Sequence, residues 1–157
     1  MAVVLPIWLC VAAWAYVMAG RCRGRDLPGA FPVWIIGGVA YVVHVLAAFA
    51  THYQWSHDIA LAETARQTRE LTGFDTGVGL WLNYLFGLAW GVEALRWFAT
   101  GEAVPRGRWK WPQRVVLVFL AFMVFNGAVV FGQGAVRGFG IVVFLMLGVV
   151  WLGGRAR

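Results

Sequence analysis

Serine occurs once in this chain, at Ser56, and lysine once, at Lys110. Ser56 lies in no Gly-x-Ser-x-Gly elbow, and Lys110 sits in a polar connection, so neither supplies a buried nucleophile. Cysteine occurs twice, at Cys10 within an apolar block and at Cys22 beside arginines, which excludes a disulfide framework. Charged side chains make up 13% of the residues, where a soluble domain carries about a quarter. The chain contains no Cys-x-x-Cys-His, no His-Glu-x-x-His and no phosphate-binding Gly-x-x-x-x-Gly-Lys run. No catalytic set is complete, and the chain is expected not to be an enzyme.

What is abundant is apolar residue, at 61%. It falls into five blocks, 2–20, 32–50, 78–98, 115–133 and 139–152, joined by short polar connections. The first four have about the 20 residues that cross roughly 30 Å of hydrocarbon. The fifth is shorter, yet its centre carries no polar side chain, so it too reads as a span. The first block lacks a basic leader and runs into Arg21, Arg23 and Arg25, which suits a retained span rather than a cleaved signal. The expected fold is an all-α integral membrane protein. One domain, 1–157, forms a bundle of about five transmembrane helices, the second extended beyond the membrane on the outer side.

The net charge of +6 reports orientation. With the N-terminus outside, the inner side holds Arg21, Arg23, Arg25, Arg96, Arg106, Arg108, Lys110, Arg114, Arg155 and Arg157. The outer side holds only Arg66, Arg69 and Arg137. This bias places the C-terminus in the cytoplasm of a plasma or inner membrane. The partners of these charges are membrane lipids, not nucleic acid. Arg106, Arg108, Trp109, Lys110 and Trp111 interleave basic and aromatic groups, a pattern suited to lipid headgroups.

All three histidines, His44, His52 and His57, lie on one stretch. From Val39 to Leu71 no proline or glycine interrupts it, so the pattern predicts that span two continues over 51–72 as a projecting helix capped by Gly73. Within it His57, Leu61, Thr64 and Thr68 form a stripe that would rest on a neighbouring helix. In a continuous helix His52 and His57 point about 140° apart and share no ion.

The His-x-x-x-x-His spacing of His52 and His57 resembles one histidine box of membrane fatty-acid desaturases and hydroxylases. Those enzymes build a di-iron site from several boxes, and this chain has three histidines in all. A metal at His52 and His57, or a cofactor such as haem at His44, is an alternative reading; no cofactor is expected.

Polar side chains inside lipid need an account. Counted from the inner ends of their spans, His44, Asn126 and Asn83 come out at about 18, 17 and 22 Å. They are candidates for a shared polar pocket, the basis of a second alternative, a carrier of small or lipidic molecules. Glu93 lies three residues before Arg96 and is expected to pair with it. Gly79, Asn83, Gly87 and Gly91 recur every four residues, and the three glycines form a helix-packing face. The leading expectation is a structural or accessory subunit that docks another membrane protein or a second copy through the outer extension.

Overall fold

The computed structural model describes residues 4–102 and 110–155. Six helices follow in order: α1 (Val4–Cys22), α2 (Ala30–Thr51), α3 (His57–Thr72), α4 (Val78–Thr100), α5 (Lys110–Phe125) and α6 (Gly134–Arg155). There is no strand among the described residues. A π-helical turn, Asn126–Val130, extends α5. With that turn, five helices are long and apolar enough to cross a membrane, and α3 is not one of them. α6 has 22 residues, so the fifth apolar segment is as long as the others.

Helix boundaries follow local chemistry. Gly29 enters α2 with φ 67, a left-handed conformation suited to glycine. Pro32 falls in the first turn, where its missing donor costs least. The α4 N-cap is Gly77, and the Thr76 hydroxyl accepts from the Val78 amide at 3.3 Å.

The spans form a ring. α1 and α2 share the most extensive contact; α2 also packs on α4, α4 on α5, and α6 closes between the π turn and α1. Aromatic residues fill the interior. The Trp34 and Trp90 rings stack with centroids 4.2 Å apart. The Trp90 indole donates to the Trp34 carbonyl at 3.1 Å, and a longer bond of 3.4 Å returns from the Trp34 indole to the Trp90 carbonyl. Gly37 makes room for this pair: a β-carbon there would lie 2.8 Å from both the Trp90 ring and Ala13. Gly37 is therefore where α2 receives α4. Gly140 likewise lets α6 approach, since a β-carbon would lie 2.8 Å from that of Ala128 in the π turn.

The bundle has two polar ends. Arg21, Arg23, Arg25, Arg96, Lys110 and Arg114 gather at one, the basic end, where α1 and α4 finish and α5 begins. α3 lies at the other, where α2 finishes and α4 begins.

Candidate functional site

The stretch holding the histidines is not one helix. α2 stops at Thr51, and α3 starts afresh at His57. Between them Gln54 and Trp55 have φ 50 and φ 59. A helix cannot continue through such residues, so the projecting extension of α2 is replaced by a separate helix. Ser56, the one serine of the chain, supplies the physical reason. Its hydroxyl accepts from the Ile59 amide at 3.3 Å as the α3 N-cap, and Asp58 occupies the first turn, where a negative charge suits the helix dipole. That start signal stands in the sequence, with no glycine or proline beside it. Gly73 caps the far end, with φ 81 and its amide on the Arg69 carbonyl.

α3 folds back antiparallel on the start of α4. A β-carbon at Gly77 would collide with Leu61, and one at Gly79 would lie 3.0 Å from Thr64. His57 Nδ1 is 3.1 Å from the Tyr84 hydroxyl, and its ring meets the Trp81 ring edge-on at a centroid distance of 5.3 Å. His57, Leu61 and Thr64, three members of the predicted stripe, thus face α4. The outward row is internally paired. Arg66 contacts Glu63 at 2.6 Å and also bonds Glu70, while Arg69 reaches Asp75 at 3.0 Å.

His52 ends α2 and lines an open cleft of about 320 Å³ with Tyr53, Ile59, Glu63 and Gln67. Hydrogen bonds from Arg66 and Gln67 hold the Glu63 carboxyl down to about 2. Burial, assisted by the Glu63 charge, pushes the Tyr53 hydroxyl up. The break between His52 and His57 removes the angular bar to a shared ion. Among the described residues, however, no group of three or more His, Cys, Asp or Glu side chains is placed to hold a metal.

The three candidates for a polar pocket lie on α2, on α4 and in the π turn. His44 is half-buried on α2. Asn83 is exposed on α4, and its backbone carbonyl accepts from the Tyr41 hydroxyl. The Asn126 amide donates to the Phe122 carbonyl at 3.1 Å, at the start of the π turn. α2 and α5 each pack on α4 and share no extensive contact with one another. Of the glycine face, Gly79 receives Thr64, Gly87 receives the Tyr41 ring, and Gly91 has open space before it. Arg106, Arg108 and Trp109 lie outside the described residues. Lys110 and Trp111 are exposed at the start of α5, with the Arg114 guanidinium 5.2 Å from the Trp111 ring centre.

The strongest polar constellation lies at the basic end. Glu93, the one acidic residue in the apolar spans, accepts from Arg21 at 2.7 Å, from Arg96 at 2.9 Å and from Gln113 at 2.8 Å. Its side chain is 2% exposed and that of Arg21 6%. The Arg21 guanidinium sits between the Trp34 and Trp97 rings, 5.1 and 5.0 Å from their centres. Its Nε and Nη1 are buried without a hydrogen-bond partner. The Glu93–Arg96 pair follows from their spacing. The turning inward of Arg21 does not, because a basic residue after an apolar block ordinarily marks the membrane surface. The available signal was that a single carboxylate served the spans.

The fold and these polar ends define the class: an all-helical protein with five apolar helices, fitted to integral membrane placement. No family model, curated protein or solved structure matches the chain.

Proposed function

We propose that this protein is a non-catalytic subunit of a membrane assembly, docking another membrane protein or a second copy through α3, with its N-terminus outside and its basic end in the cytoplasm. The observation that supports this most is the build of α3. It is a polar helix clamped on α4 through Gly77 and Gly79, while its outward row of Asp58, Arg66, Arg69 and Glu70 is exposed. A fixed, self-neutralised polar surface offers a partner hydrogen bonds at small ordering cost. The ten-to-three division of basic residues supports the orientation.

A photo-crosslinking residue at Gln67, compared with one at lipid-facing Leu145, tests the reading in native membranes. The expected result is a discrete protein adduct from position 67 alone, matched by a species larger than the monomer in mild detergent. A clean monomer with no adduct overturns it. An optical spectrum and elemental analysis of the same preparation test the alternative of a haem or metal centre at His44, His52 or His57.

A further inference from the structure

α3 does not stand clear of the bundle. His57, its first residue, meets Trp81 and Tyr84. Tyr84 lies six residues into α4, about 9 Å along its axis. Leu61 then sits at Gly77, Thr64 at Gly79 and Arg69 at Asp75, so α3 climbs back toward the start of α4. A polar helix therefore lies alongside the first turns of α4, one of the helices long and apolar enough to cross a membrane.

Two aromatic residues bracket α3. Trp55 precedes it with 65% of its surface exposed, and Phe74 follows it with 73% exposed. Trp55 has φ 59. A bulky residue adopts that left-handed conformation at an energetic cost. The cost turns an indole outward, its ring 6.4 Å from that of Phe49. Leu71 and Trp81 are exposed beside these residues, and Leu85, Leu88 and Val92 continue the apolar surface down α4. Arg66, Gln67 and Glu70 are exposed polar residues of α3.

We propose that α3 is an interfacial helix, with Trp55 and Phe74 inserted between the headgroups and acyl chains of the leaflet at its end of the bundle. Lipid is the occupant because Trp55 and Phe74 are exposed at the end of the bundle where α2 finishes and α4 begins, and exposed apolar side chains of α4 run on from that end. Tryptophan also favours that boundary, where its ring is apolar and its N–H meets acceptors. Residues 52–77 carry Asp58, Glu63, Glu70 and Asp75 against Arg66 and Arg69, so this seat suits zwitterionic headgroups. The strained turn at Gln54 and Trp55 thus directs α3 along the membrane surface and keeps its polar row clear of the acyl chains, on the aqueous side from which the proposed partner docks.

Spin labels test the placement in the full chain, reconstituted in phosphatidylcholine bilayers on a Cys10→Ala, Cys22→Ala background. Labels replace Trp55, Phe74 and, as a reference, Glu70. At positions 55 and 74 the ratio of oxygen to nickel-chelate accessibility should exceed that at position 70 several-fold. Equal, chelate-dominated values at all three positions overturn the proposal by placing α3 in water. Labels at 55 and 74 shielded from both reagents overturn it as well, because protein then covers them. If Trp55→Cys or Phe74→Cys fails to assemble, labels at Gln54 and Leu71 report the same boundary.

Discussion

The two ends of the bundle use the same ionic chemistry with the stoichiometry reversed. At the basic end one carboxylate, Glu93, serves two arginines, Arg21 and Arg96; at the other, one arginine, Arg66, serves two carboxylates, Glu63 and Glu70. The decisive difference is water. Glu93 is 2% exposed, whereas the Arg66 side chain is 47% exposed. Buried charges are costly to desolvate, so each depends on its partners, and losing one strands the others. Exposed charges lose little when a partner goes, because solvent takes its place. The Glu93 cluster ties α1, α4 and α5 together, and the Arg66 network decorates a single helix.

Removing Glu93 gives the largest effect. Glu93→Ala takes the ion-pair carboxylate from the buried Arg21 guanidinium and from Arg96, a loss of roughly 3–5 kcal/mol. Thermal unfolding in detergent should show it as a large fall in the midpoint. Adding Arg21→Met should recover much of the loss, because it removes the stranded charge and keeps the stem packed between Trp34 and Trp97. A double variant no more stable than Glu93→Ala would mean that Arg21 is not the dependent partner.

The sequence announced one of these ends better than the other. Five apolar blocks were legible because lipid imposes a length on every span. The Glu93–Arg96 pair was legible because it is local in the chain. The contact from Arg21 joins residues 72 positions apart, and it depends on the rotation of α1 and α4, which composition does not fix. At the hairpin end, the stripe of His57, Leu61 and Thr64 was legible because periodicity survives whatever the neighbour is. The break before it was not, because neither Gln54 nor Trp55 is a residue that marks a left-handed turn. Depth alone relates His44, Asn83 and Asn126 in the sequence, and it does not give the rotation of their helices.

The hairpin's own stability rests on its cap more than on its charges. Ser56→Ala removes the acceptor for the Ile59 amide, at a cost of about 1 kcal/mol. The loss should be local. Hydrogen exchange should quicken over the first turn of α3, while the midpoint of global unfolding moves far less than with Glu93→Ala. Equal shifts from the two variants would show that α3 and the spans unfold as one unit, and the contrast between the ends would fail.

The exposed ion network should give the smallest effect, and its pH dependence has a definite sign. The Glu63 carboxyl is held at about 2, below its ordinary value of 4.5. A carboxyl lowered by folding contributes stability that is present above the unfolded value and is lost as pH falls through the folded one. The contribution therefore fades between about pH 4.5 and pH 2 and is constant at neutral pH. Solvent at Arg66 keeps it small, and in about 1 M salt, where the screening length is about 3 Å, it should shrink further. Arg66→Ala should accordingly leave the neutral-pH midpoint nearly unmoved and flatten the acid limb of the stability profile. A fall at neutral pH comparable to that of Glu93→Ala would show that Arg66 is covered in the membrane, and the distinction between a buried and a solvated cluster would no longer hold.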